Sequence, residues 1–83
     1  MTTRAREEII IKANNALADE FEKEIETFSP DANLQETLEI DSLDLVDLVV
    51  LIEKELGIKT AKDDFANVKT FDDFYDLLYS KQR

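Results

Sequence analysis

The chain of 83 residues has no cysteine, no histidine and no tryptophan. Without cysteine there is neither a disulfide nor a thiol nucleophile. Without histidine the commonest general base and the commonest metal ligand are both missing. A self-sufficient enzyme is therefore not expected. One glycine and one proline are too few for a turn-rich sheet and point to helices. No apolar segment approaches the ~20 residues that span a bilayer. The polar stretch 1–6 runs into an amphipathic segment rather than the apolar centre of a secretory signal, so cytoplasmic residence is the expectation.

Charge of one sign is abundant. Twenty Asp and Glu face ten Lys and Arg, a formal net charge of −10. Such a surface repels nucleic-acid backbone, so no nucleic-acid partner is expected. It steers the molecule towards basic patches on other proteins, or serves solubility alone. Hydrophobic residues make up 43%, enough for one core in one domain, read as residues 1–83.

Apolar residues Ile10, Ala13, Leu17, Phe21, Ile25 and Phe28 recur at spacings of three and four, which predicts a first helix over residues 3–21 with a continuation to 28. Ser29-Pro30-Asp31-Ala32-Asn33 interrupts it, because proline disfavours helical backbone at the residue before it. A loop of about a dozen residues follows, with Leu34, Leu38 and Ile40 expected to lie on the bundle. Residues 42–56 read as a second helix closed by Gly57, with an inner stripe of Leu45, Leu48, Val49, Ile52 and Leu56. Leu43, Val46 and Val50 fall off that stripe among Asp44, Asp47 and Glu53, as a small aliphatic patch ringed by acids. A widened core stripe is the plainer alternative. Residues 63–68 suggest one short turn with Phe65 and Val68 inward. Thr70 is a good N-cap for a last helix carrying Phe71, Phe74, Tyr75 and Leu78 and ending in the basic stretch 80–83. The fold expected is all-α: a small four-helix bundle, three main helices plus one short helix, with a long loop between helices one and two.

The acid groups Asp41 with Asp44, Asp63 with Asp64, and Asp72 with Asp73 and Asp76 lack the glycine and terminal glutamate of a calcium loop, so no metal site is expected. A serine hydrolase built on Ser42 would need a base and an oxyanion hole, and the flanking acids oppose a developing oxyanion. Asp41 followed three residues later by Asp44 reads instead as a helix start, with Ser42 at the first helical position and its hydroxyl towards solvent. A phosphate ester there would lie near unpaired backbone N–H groups and the positive end of the helix dipole.

The stretch Asp41-Ser42-Leu43-Asp44-Leu45-Val46-Asp47-Leu48-Val49 resembles the modification motif of acyl carrier proteins. The likeness continues through Leu51-Ile52-Glu53-Lys54-Glu55-Leu56-Gly57-Ile58 and the Thr70-Phe71-Asp72-Asp73-Phe74 start of the last helix. The resemblance implies a single acyl-carrier domain whose Ser42 receives phosphopantetheine from coenzyme A, through a separate phosphopantetheinyl transferase. Acyl groups would ride as thioesters on the terminal thiol of that arm. It further implies that Asp41 flanks the attachment point and that the transferase reads Asp44. Leu43, Asp44, Val46, Asp47, Val50 and Glu53 would dock partner enzymes through their basic patches. Leu48, Val49, Ile52, Phe65 and Leu78 are candidates for an acyl cavity, with core packing the plainer account of each.

This sequence departs from the family pattern at four places. Glu39 stands where a glycine is common, Lys54 and Lys62 where acids are frequent, and Thr60-Ala61 in place of Ile-Pro. Such changes bear on the choice of partners. The expected function is a monomeric, non-catalytic carrier for acyl-loading and acyl-processing enzymes of fatty-acid or related biosynthesis. The alternatives are a specialised carrier for polyketide or amino-acyl chemistry and an unmodified acidic interaction domain.

Overall fold

The computed structural model describes residues 2–82. Four α-helices lie in the order α1 (Thr2–Phe21), α2 (Leu34–Leu38), α3 (Leu45–Leu56) and α4 (Phe71–Lys81), with 3-10 turns at Ile25–Thr27, Ser42–Asp44 and Lys62–Asn67. The architecture is the all-α bundle expected, in which α1 packs on both α3 and α4, and the Lys62–Asn67 turn is the short helix between α3 and α4. The predicted basic end at residue 83 lies outside the described residues.

Helix α1 buries Ile9, Ala13 and Leu17, which share one face at helical spacing. It stops at Phe21 rather than running on to Phe28. Glu22 adopts left-handed backbone at φ 55, and the Lys23 N–H reaches back to the Ala18 carbonyl at 3.1 Å, a closure that ends helices. Phe28 is buried all the same, because the chain turns back and stacks it on Phe71 with ring centroids 4.9 Å apart. Ile25, placed by periodicity on the same face, is exposed.

The long connection holds a helix of its own. Asn33 caps α2 by accepting from the Glu36 N–H at 2.9 Å, and Leu34 and Leu38 enter the core as expected. The connection is also stitched to the start of α4. Leu34 N–H donates to the Lys69 carbonyl (2.9 Å), Phe71 N–H to Ala32 (3.1 Å) and Asp72 N–H to Pro30 (2.9 Å). Helix α2 closes on Glu39, left-handed at φ 59, with Ile40 N–H bonded to the Gln35 carbonyl at 3.0 Å.

Helix α3 buries Leu45, Leu48, Leu51 and Ile52, while Val49 and Leu56 are half-buried. Leu51 therefore belongs to the inner face that the sequence pattern assigned without it. Gly57 closes α3 at φ 72, left-handed backbone that glycine takes without a steric penalty. Helix α4 supplies Phe71, Phe74, Tyr75 and Leu78 to the core. The Tyr75 hydroxyl donates to Asn14 Oδ1 on α1 at 2.7 Å. Arg6 forms ion pairs with Asp72 and Asp76, and Lys81 with Asp64 at 3.5 Å.

Candidate functional site

Ser42 opens the turn that leads into α3, and its position follows from local chemistry. Asp41, in extended backbone, accepts from the N–H groups of Leu43 (3.0 Å) and Asp44 (3.2 Å) through one carboxylate oxygen. Asp44 reaches back to the Asp41 N–H at 3.4 Å and completes a capping box. The first turn is 3-10 rather than α, and the chain widens into α-helix at Leu45. Ser42 is exposed, and its hydroxyl takes part in no side-chain hydrogen bond among the described residues. The N1 placement and the solvent-facing hydroxyl are as the sequence indicated.

The electrostatics of the turn differ from the sequence expectation. The Leu43 and Asp44 N–H groups that were to flank a phosphate ester are already taken by the Asp41 carboxylate. A phosphate on Ser42 would stand beside acids, in water, with those two amides spent. Repulsion from Asp41 and Asp44 pushes such a group outward, which suits a flexible appendage better than a held ligand.

Downstream of Ser42 the outer face of α3 is apolar where a surface helix is normally polar. Leu43 is 75% exposed, Val46 50% and Val50 57%. Asp47 and Glu53 are exposed on the same helix, and Asp44 is half-buried. The six candidate docking residues thus lie on one accessible stretch beginning next to Ser42. The acyl-cavity candidates are placed differently. Leu48, Ile52, Phe65 and Leu78 are buried in one core cluster against which Val49 packs, and the Phe65 ring lies 6.0 Å from that of Phe74. They meet as packed side chains, and none of them lines the surface clefts beside α3.

The approach to Ser42 contains a clasp that sequence reasoning missed. Lys23, just past α1, pairs with Glu39 at 2.7 Å and pulls that carboxyl below its ordinary range, through the hydrogen bond first and the opposite charge second. Glutamate is a good helix former, so nothing in composition marks Glu39 as left-handed. The glycine that the family commonly has at this position was the one available signal.

The fit to a phosphopantetheine group rests on this geometry: an exposed, unbonded hydroxyl on a capped turn, with no side chain among the described residues covering it. Comparison with known proteins agrees. A family model described as "Phosphopantetheine attachment site" matches residues 14–78. The acyl carrier protein of Lactobacillus acidophilus is 31% identical over 78 residues, covering 94% of this chain and 98% of that protein. The polyketide-8 synthase acyl carrier protein 2 of Streptomyces avermitilis is 31% identical over 65 residues, 78% of this chain and 75% of its own length. Acyl carrier protein AcpXL of Mesorhizobium japonicum is 44% identical over 48 residues, 58% of this chain and 52% of that one.

Proposed function

Because the chain belongs to the acyl carrier protein family, we propose that Ser42 bears the phosphopantetheine arm and that the molecule shuttles acyl groups between enzymes of fatty-acid or related acyl biosynthesis. The observation that carries this reading is the exposed Ser42 hydroxyl at the head of a capped turn, within the residues that the phosphopantetheine attachment model matches. When bound, the arm supplies the thiol that forms acyl thioesters, a group that this cysteine-free chain lacks.

The protein's own residues present, fix and steer. Asp41 and Asp44 hold the backbone on both sides of Ser42, so a transferase meets its hydroxyl in one geometry. Asp44 is also the acid that the transferase reads. Leu43, Val46 and Val50 supply apolar contact, while Asp44, Asp47 and Glu53 steer basic patches of partner enzymes. Leu48, Val49, Ile52, Phe65 and Leu78 would part to admit an acyl chain, helped by about 0.8 kcal/mol for each methylene removed from water. The molecule catalyses no step itself. Its net charge of −10 opposes self-association and supports a monomer, and the compartment proposed for it is the cytoplasm. The fatty-acid reading is preferred to a dedicated polyketide carrier because the docking helix carries the acids Asp44, Asp47 and Glu53 beside its apolar patch.

The test is intact-protein mass before and after incubation with coenzyme A, magnesium and a broad-specificity phosphopantetheinyl transferase. Wild type should gain a single phosphopantetheine and Ser42→Ala none. A folded wild type that gains nothing would turn the reading to an unmodified acidic interaction domain. Partner binding should weaken as salt rises, and titrating a partner at low and high ionic strength checks the acidic docking face.

A further inference from the structure

The side of α3 that faces α1 has no part in the carrier reading beyond sharing Asp47 and Val50 with the outer patch. Asp47, Val50, Leu51 and Lys54 line one wall of a groove there, with Glu20 of α1 opposite. Their spacing of three and four residues sets them in one stripe along the helix. The groove continues along α1 past Asp19, and its two stretches, about 490 and 260 Å³, share Glu20 and Leu51. Lys12 and Glu55, towards the far end, offset one another in charge.

The groove has a definite character. Leu51 is a buried floor and Val50 an exposed apolar rim, continuous with the Leu43 and Val46 patch. Asp19, Glu20 and Asp47 make its near end acidic. Lys54 stands among them without an ion pair among the described residues, whereas Arg6, Lys23 and Lys81 each bridge two elements. The stripe from residue 47 to 54 is about 10 Å long, roughly two turns of a helix laid alongside.

We propose that this α1–α3 groove docks an amphipathic helix of a partner enzyme, basic where it faces Glu20 and Asp47, apolar against Val50 and Leu51, and carrying one carboxylate opposite Lys54. The identity of that partner as an acyl-processing enzyme rests on the carrier reading. The groove makes the docking surface two-sided, and Lys54 makes it selective. A wholly basic helix leaves Lys54 facing like charge, while one with a single acid in register satisfies both signs.

Two synthetic helical peptides test this, each about 16 residues or four turns long. Both carry a leucine face flanked by arginines. One has a single glutamate among the arginines, and the other has glutamine in its place. Titrated into unmodified, ¹⁵N-labelled protein, the glutamate peptide should shift the amides of Glu20, Asp47, Leu51 and Lys54. It should bind several-fold more tightly than its glutamine twin. Glu20→Lys should weaken binding about tenfold, and Asp31→Lys less than about threefold. Asp31 undergoes the same charge change on the segment that pairs with α4 and lines neither stretch of the groove. Lys54→Glu should abolish the preference for the glutamate peptide. The proposal is overturned by shifts confined to the Leu43 and Val46 region, by equal losses from Glu20→Lys and Asp31→Lys, or by a preference that survives Lys54→Glu. Since the titration uses unmodified protein, its failure removes the groove alone, and failure of pantetheinylation removes the carrier reading alone.

Discussion

The 3-10 turn that leads into α3 and the helix α4 both open on a capping box, Asp41 with Asp44 and Thr70 with Asp73, yet the two starts sit in different surroundings. At α4 the first residue, Phe71, is fully buried and stacked on Phe28. The amides of Phe71 and Asp72 are bonded to carbonyls of the long connection, so α4 begins inside the structure. At the 3-10 turn that leads into α3 the first residue is Ser42, exposed, and among the described residues the turn is held by its capping box and its own backbone bonds. Capping chemistry thus fixes a backbone in either setting, and tertiary contact decides whether the fixed end is a joint or a handle. A carrier needs both, a rigid frame and one presented hydroxyl.

The comparison is broken hardest at the buried joint. Phe71→Ala should cost about 3–5 kcal/mol, a larger fall in denaturation midpoint than the loss of either cap would bring. Denaturant unfolding followed by circular dichroism measures it. The two caps offer a sharper contrast, since Thr70→Ala and Asp41→Ala should each cost about 1 kcal/mol but spread differently. Amide hydrogen exchange should show Thr70→Ala loosening Leu34 as well as Asp73, because Leu34 bonds to Lys69. Asp41→Ala should loosen only Leu43 and Asp44. If Asp41→Ala loosened the connection as widely, the two starts would not differ as described.

A smaller effect at the α4 cap depends on pH. The backbone N–H groups of Lys69 and Thr70 hold the Asp73 carboxyl below its ordinary range. A carboxyl lowered in the folded state contributes stability that is complete above its unfolded value, about 3.9. That contribution is lost as pH falls through the lower folded value. Asp73→Asn should therefore remove part of the stability at neutral pH and flatten its decline below about pH 4. Acid titrations of unfolding for wild type and variant check the sign. The smallest effect is expected at the handle, where Ser42→Ala should change stability by less than about 0.5 kcal/mol, while abolishing modification.

The parts of this architecture that are local in sequence were legible there. Asp41, Ser42 and Asp44 lie within four positions, and their capping geometry needs nothing from elsewhere. The exposure of Leu43, Val46 and Val50 followed from helical phase on α3. What depends on distant contact was not legible. Phe28 fits the α1 period but owes its burial to Phe71, forty-three positions on. Glu39 has the composition of a helix interior and the backbone of a glycine, held by Lys23 from across the connection. Helix α2 is five residues long, too short for a periodic signal, and its segment reads as loop in the sequence. The α1–α3 groove exists only because two helices pack. The identity of the group on Ser42 came from the motif around it, since an exposed, capped serine does not name its ligand.

The most direct measurement of the central claim is the ¹H–¹⁵N spectrum before and after pantetheinylation. Shifts should be confined to residues 41–44 and the adjoining outer face of α3, with Ala32, Leu34 and Phe71–Asp73 unmoved. An unchanged Asp41–Asp44 turn, or shifts centred on the α4 joint, would contradict the assignment of Ser42 as the presented handle.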